Sequence, residues 1–362
     1  MNGEGRKSSF GEVLEWQLGF PVLILTISSL GILSIYSASQ DVVHTQGWAP
    51  LYLRQITWVV IGGLVFLGMS AYDYHRLSRY AYVLYAFSLI LLVAVFLEGR
   101  STRGAQRWLA IGSFSFQPSE VAKVTLVIML ARYFSANSSK GIVNRLFIPG
   151  GLMLPGFLLI LLQPDLGTAI TYLFVFLTIL LFVGPWTRAL TFGVFGTLMI
   201  LPFLLKGLWA PLLAYQKERI LVFWDPLLDP MGKGYQALQS KIAIGAGQLS
   251  GQGLDGATQS QLQFLPDGYT DFAFAVFAEQ WGFLGVVVLL FLYYLLFMMM
   301  IGIGERAKDP LGVILVIGMT AMLGFCLMVN IGMTVGLLPI VGIPLPLMSY
   351  GGTTMVMTLA VL

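Results

Sequence analysis

Nine stretches of this chain are apolar over close to the roughly 20 residues needed to cross lipid hydrocarbon, and that repetition decides the fold class. They are Leu18–Ala38, Gln55–Ala71, Tyr80–Leu97, Ser119–Ser135, Leu146–Leu162, Gly167–Gly184, Ala189–Leu205, Asp271–Ile303 and Leu311–Met333. A tenth opens near Ser349 and stops at Leu362, too short to cross, so the natural helix is expected to run on into a further tail. Inside hydrocarbon every backbone polar group must find a partner within the protein, which leaves helices as the spanning element. The expected fold is therefore all-α, a polytopic membrane bundle of about ten transmembrane helices in one domain over residues 1–362. Only 10% of residues are charged and 57% are apolar, where a soluble domain is about a quarter charged. The first run exceeds the roughly 7–15 residue apolar core of a signal peptide and is read as a retained helix. Ser119–Ser135 is the least typical span, because it holds Glu120, Lys123 and Arg132.

Lysine and arginine in short loops set orientation. With the N-terminus inside, Arg6, Lys7, Arg76, Arg79, Arg132, Lys140, Arg145, Arg188, Arg306 and Lys308 gather on the inner face. Arg54, Arg100, Arg103 and Arg107 remain outside. Two outer loops exceed plain connectors. Glu98–Pro118 carries three arginines with Trp108 and Phe116. The loop between the seventh and eighth helices, residues 206–270, is about 65 residues long, and loops of that length are uncommon unless functional. Within it, Tyr235, Leu238 and Ile242 space out an amphipathic helix, fitting either the membrane interface or a cap on the bundle. The glycines at 245, 247, 251, 253 and 256 permit tight turns and close backbone approach.

Much soluble-enzyme chemistry is excluded. There is no P-loop, no histidine pair at metal spacing and no cysteine cluster; the lone Cys326 lies in an apolar run. A net charge of +3 makes no case for nucleic acid. His44 and His75 fall on opposite membrane faces in this topology. Catalysis would have to use carboxylates, with lysine or arginine beside them. Charge within a membrane span is a functional hypothesis by default. Glu120 and Lys123 share a helix face, as a structural ion pair or as the wall of an outward cavity. Asp165, in the turn Gln163-Pro164-Asp165-Leu166-Gly167, is a helix cap or a cavity residue. Asp271 opens the eighth helix, where capping and the helix dipole also favour an acid. Glu279 lies two turns deeper, to pair with a basic residue or line the cavity. Outer-leaflet acids beside arginine suit an anionic lipid head group, since arginine grips phosphate bidentately. The residues alone thus reach a lipid-facing enzyme or a transporter.

Several segments then carry a resemblance. Gly104-Ala105-Gln106-Arg107-Trp108, Gln117-Pro118-Ser119-Glu120 with Lys123, Gln163-Pro164-Asp165-Leu166-Gly167-Thr168 and Thr270-Asp271-Phe272 are similar to signature segments of the SEDS family (shape, elongation, division and sporulation proteins). So are the run from Pro339 to Pro346 and Ser349-Tyr350-Gly351-Gly352. The resemblance covers nearly the whole chain in order. Gln239-Ser240-Lys241-Ile242-Ala243 and Thr258-Gln259-Ser260-Gln261-Leu262, followed by Phe264-Leu265-Pro266, look like the elongation branch rather than the division branch. Asp267-Gly268-Tyr269 departs mildly, replacing a more charged tripeptide.

The resemblance implies a peptidoglycan glycosyltransferase in the bacterial cytoplasmic membrane, working on its outer face. Its donor would be a glycan on undecaprenyl diphosphate and its acceptor lipid II, joined by an inverting β-1,4 transfer. Asp271 matches the family's essential aspartate and is the candidate catalytic base. Arg107, Glu120, Lys123, Asp165, Lys241, Glu279 and Ser349 are the candidates for holding substrate. A divalent cation, Mg or Mn, is admissible between Asp271 and the diphosphate, although no ligand cluster demands one. The implied partners are a class B penicillin-binding protein, touching the outer ends of the eighth and ninth helices, and other membrane proteins of the elongation complex. A lipid II flippase is the rival from another class.

Overall fold

The computed structural model describes residues 10–39, 50–102, 105–111, 114–137, 143–183, 214–262 and 264–362. The helices are α1 (Phe10–Ala38), α2 (Leu51–Ser70), α3 (Tyr74–Arg79), α4 (Ala81–Glu98), α5 (Pro118–Ala136), α6 (Ile148–Leu162) and α7 (Leu166–Val183). They continue as α8 (Ala214–Trp224), α9 (Lys233–Ala246), α10 (Thr258–Gln261), α11 (Ala273–Glu305), α12 (Pro310–Val335) and α13 (Gly352–Val361). Among the described residues, six helices are long and apolar enough to cross a membrane, and Ala81–Leu97 and Gly352–Val361 are shorter apolar helices. The expected span Ala189–Leu205 lies outside the described residues. The chain is a multi-pass helical membrane protein.

The least typical span proves to be the middle of the bundle. α5 packs against α4, α6, α7, α12 and α13, so every face of it meets protein. Fifteen of its residues are buried, from Pro118 through Phe134, Glu120 and Lys123 among them. A helix enclosed on all sides needs no lipid-compatible surface, which is why its composition can depart from its neighbours. Lipid-facing helices show the reverse. α2 leaves Leu53, Val60, Leu64 and Leu67 exposed and buries Gln55 and Gly62 toward α13.

Contacts between described loops fall at two ends of the bundle. At one end Tyr74 donates a 2.7 Å hydrogen bond to Asp309, and His75 Nε2 lies 3.3 Å from the same carboxylate. At the other, here the site end, Arg107 meets the 163–165 turn, Ser37 donates to the Leu254 carbonyl at 2.5 Å, and Thr353 donates to the Ser115 carbonyl at 3.3 Å.

The site end is more ordered than a loop reading suggests. Three short strands form an antiparallel sheet: β1 (Arg100–Thr102), β2 (Ala105–Ile111) and β3 (Phe114–Phe116). Pairing across it satisfies backbone groups that would otherwise sit at the membrane rim. α9 caps the bundle, packing on α11 and α12, with Ser240 and Ala243 buried, and Ser240 Oγ donates to the Thr334 carbonyl at 2.8 Å. The apolar residues Leu238 and Ile242 face outward, away from the bundle.

The glycine-rich stretch repairs a break in α11. At Gly282 the helix is interrupted (φ 64°, ψ −167°). The break frees the carbonyls of Glu279 and Gln280 and the amides of Phe283 and Leu284. Gln252 and Gly253 donate to those carbonyls at 2.9 and 3.0 Å, while Gln248 and Leu249 accept from those amides at 2.8 and 3.0 Å. A side chain on Gly282 would run into the Gly251 amide and the Gly247 carbonyl. Its backbone region is also nearly closed to other residues, at about 1–3 kcal/mol before any clash. Gly282→Ala is expected to lower stability by at least that amount, measured by unfolding in detergent micelles. A wild-type transition would contradict the docking.

Candidate active site

Asp271 sits in a turn, two residues before α11 begins, and not in the helix as expected. The carbonyl of Asp267 (φ 62°) accepts from the amides of Thr270, Asp271 and Phe272 at 3.0, 3.1 and 3.3 Å, so the turn closes on itself before the helix starts. Three further contacts hold it. Asn330, fully buried in α12, donates to the Asp271 carbonyl at 2.9 Å and to the Ile343 carbonyl at 2.7 Å. Ser349 Oγ donates to the Thr270 carbonyl at 2.5 Å and accepts from the Leu345 amide at 2.7 Å. The Tyr350 amide donates to the Tyr269 carbonyl at 2.7 Å. The extended segment 339–346 is thereby stapled beneath Asp271. At Gly342 (φ 75°) a Cβ would lie 3.2 Å from Asp271 Oδ2, so the carboxylate rests over bare backbone. The side chain is half-buried.

Arg107, on β2, reaches over the turn between α6 and α7. Its Nε donates to the Gln163 carbonyl at 3.1 Å, its Nη2 to the Pro164 carbonyl, and its Nη1 lies 3.7 Å from Asp165 Oδ1. Asp165 is a cap as well as an ion-pair partner. It accepts from the Thr168 amide at 3.3 Å and from Thr168 Oγ1 at 2.9 Å. Gln117 Nε2 lies 3.4 Å away.

Glu120 and Lys123 pair at 2.8 Å, both buried. They line a separate cavity with Cys326, Pro344, Pro346, Thr354 and Thr358. The two sites are thus joined by one segment: Gly342 underlies Asp271, and Pro344 and Pro346 face the ion pair. Glu279 stands apart. It is fully buried, and its oxygens accept from the Gln259 amide at 2.8 Å, the Ser260 amide at 3.1 Å and the Ser260 hydroxyl. It anchors the start of α10, a partnership with backbone amides in place of the basic partner or cavity lining that the sequence offered. Ser349 likewise binds backbone, on the far side of the Asp271 turn.

Reading the sequence did not single out Asn330, Arg219 or Lys233. Arg219, on α8, donates from Nη1 to the Val341 carbonyl at 3.2 Å, next to the glycine under Asp271. Lys233 opens α9 within electrostatic reach of Arg219, Asp271, Arg107 and Asp267. Burial first, then the Arg219 charge, pushes its amine down to about 8, against the pull of Asp271. Arg219 and Lys233 share a second cavity with Lys241. At the site end Lys233 thus links the half-buried Asp271 carboxylate to Arg219 and Arg107. Such an arrangement can accept a proton and neutralise a leaving anion. Among the described residues, no three His, Cys, Asp or Glu side chains gather to hold a metal.

The family model described as "Cell cycle protein", covering FtsW, RodA and SpoVE, matches residues 17–362. Peptidoglycan glycosyltransferase MrdB of Escherichia coli K12 is 37% identical, with 99% of this chain and 95% of the relative covered. The crystal structure of the rod shape determining protein RodA of Thermus thermophilus superposes with a TM-score of 0.69 at 31% identity, covering 95% of this chain and 93% of that one. A chain from a peptidoglycan synthase complex, described as coordinating polymerization and crosslinking, superposes with a TM-score of 0.80 at 34% identity, covering 95% and 94%. Spread over almost the entire length, these matches place the chain in the SEDS family.

Proposed function

We propose that this chain is a peptidoglycan glycosyltransferase that polymerises lipid II on the outer face of the bacterial cytoplasmic membrane, for elongation and rod shape. The observation that carries the chemistry is the Asp271 carboxylate, held by its backbone on buried Asn330, with Lys233 in electrostatic reach of it and of Arg107 and Arg219. The acceptor's 4-hydroxyl attacks the donor's anomeric carbon from the face opposite the lipid diphosphate. As the new C–O bond forms, Asp271 takes the hydroxyl proton, and the bond to the diphosphate breaks with its electron pair. The result is a β-1,4 linkage. The arginines and lysine offset the charge that grows on the departing diphosphate, an electrostatic contribution that is often the largest in catalysis. Arg107 is itself held by the Gln163-Pro164-Asp165 turn, so it is positioned before substrate arrives. A divalent cation, where used, would draw on Asp271 and mostly on diphosphate oxygens.

The partner in this reading is a class B penicillin-binding protein, a transpeptidase with one membrane anchor. Its contact lies at the site ends of α11 and α12, where Val335, Leu337 and Leu338 are exposed. Other elongation-complex proteins assemble around that pair. The N-terminus lies in the cytoplasm.

The test is the purified chain with its transpeptidase in detergent, given lipid II and followed by gel. A ladder of glycan products is expected. In micelles, movement of lipid between leaflets has no meaning, so a transporter gives no ladder and the reading falls.

A further inference from the structure

α2 buries two residues, Gln55 and Gly62, and Gln55 is fully enclosed. A polar side chain buried inside a membrane span is a functional hypothesis by default. Gln55 Nε2 donates to the Ser349 carbonyl at 3.1 Å, and its Oε1 accepts from the Gly351 amide at 3.4 Å. Ser349, Tyr350 and Gly351 lie just before α13 in non-helical backbone, so their polar groups have no helix or strand ladder to join. Trp58 stands three residues beyond Gln55, on the same face of α2. It packs on Gly352, where a Cβ would run into its indole. From α1, Gly31 admits the Met348 backbone; a Cβ there would lie 2.7 Å from the Met348 Cα and carbonyl oxygen. α1 and α2 thus hold residues 348–352 from one side.

The same residues hold the Asp271 turn from the other. Ser349 Oγ donates to the Thr270 carbonyl, and the Tyr350 amide donates to the Tyr269 carbonyl. The Tyr269 and Tyr350 rings meet edge to face, with centroids 5.9 Å apart. A contiguous path therefore runs from the Gln55 side chain, through residues 349–351, to the two residues that precede Asp271.

We propose that Gln55 is a positioning residue for Asp271. It stays clear of the reacting atoms and fixes the segment against which the catalytic turn is built. The role rests on the glycosyltransferase reading for its effect on rate, but not for its effect on the turn. Small displacements matter, because a shift of about 1 Å caused from a distance can cost about 10²-fold in rate. Methionine keeps the length of glutamine and supplies no N–H and only a weak acceptor. Asparagine stays polar and is one methylene shorter, so it draws the amide back from 349–351.

The experiment uses the full chain with its transpeptidase in detergent and lipid II as substrate, beside amide hydrogen exchange of the full chain read by mass spectrometry. Gln55→Met should lower kcat about tenfold and leave KM for lipid II within about twofold, since the groups that meet substrate are untouched. Amides in 269–272 and 349–351 should exchange at least about fivefold faster, and those of α9 should not change. Gln55→Asn should shift rate and exchange in the same sense, and it carries the test if the methionine protein does not fold. Ser349→Ala cuts the next link in the path, so its loss and that of Gln55→Met should combine to less than their product. Leu64→Ala, on the exposed face of α2, should leave kcat unchanged. Native kcat in folded Gln55→Met or Gln55→Asn protein would overturn the assignment. So would losses that multiply in the double variant, a loss carried by KM, or a slower rate with native exchange in the turn. If the native chain makes no glycan while Gln55→Met still speeds exchange at 269–272, the glycosyltransferase reading fails and the path from α2 to the turn stands.

Discussion

Asp271→Asn should leave a folded protein whose rate of glycan polymerisation is down by about 10²–10⁴-fold, the usual contribution of a positioned base. A sugar hydroxyl is too weak an acid to ionise at neutral pH, so its proton must go to a base while the bond forms. Asparagine keeps the size of the side chain and removes only that capacity. The backbone contacts that build the turn survive, because Asn330 binds the Asp271 carbonyl and the Asp267 carbonyl binds its amide. The loss should fall on kcat. The cations that bind substrate are untouched, so KM should stay within a few-fold. Single-turnover rates with lipid II, beside binding of the same substrate, separate the two. A loss confined to KM would move Asp271 from the reaction to substrate binding.

Removing one member of the buried ion pair should cost more stability than any other single change at the site. Lys123→Met leaves Glu120 enclosed in α5 without its 2.8 Å partner. A buried charge stripped of its partner typically costs about 3–5 kcal/mol, whereas replacing both partners with neutral groups is often close to neutral. Lys123→Met is therefore expected to unfold early on denaturant titration in detergent, and Glu120→Gln added to it should recover most of the loss. The double variant also separates roles. If it is stable but makes no glycan, the pair acts on substrate through the cavity it lines. If it is stable and active, the pair is a staple of the bundle.

The spans were legible because hydrocarbon imposes one demand on every residue of a helix that faces it. α1, α4, α6, α7, α11 and α12 follow the apolar runs to within a few residues at most ends. α5 follows its run Ser119–Ser135 to within one residue at each end, and its charges made it the least typical span for a physical reason: surrounded by protein, it need not be apolar, and Glu120 and Lys123 satisfy each other. The sheet of β1, β2 and β3 left no clear trace, since strands of three and seven residues give too few alternations to register. The glycines signalled close approach, but their partner, the break at Gly282, lies about 30 residues onward and no local pattern names it.

At the site, the motif residues were visible and their partners were not. Asp165 and Arg107 stood in recognisable segments, and the structure brings them together at 3.7 Å. Glu279 was conspicuous as an acid at depth, yet its partners are backbone amides that no sequence pattern displays. Asn330 could have been found, because a lone polar side chain inside an apolar span is itself a signal. Arg219 and Lys233 resembled ordinary loop cations. Only the folding of α8 and α9 back toward the Asp271 turn gives them a role.

Everything depends on the face of the membrane that Asp271 occupies. The direct measurement is thiol labelling of Asp271→Cys and of Leu249→Cys, each in a Cys326→Ala background, using a membrane-impermeant maleimide on intact spheroplasts. Both positions should react from outside, and a cysteine at Arg306, beyond the far end of α11, should react only after the membrane is opened. Labelling of 271 only from the cytoplasmic side would separate this carboxylate from any substrate carried on the outer leaflet.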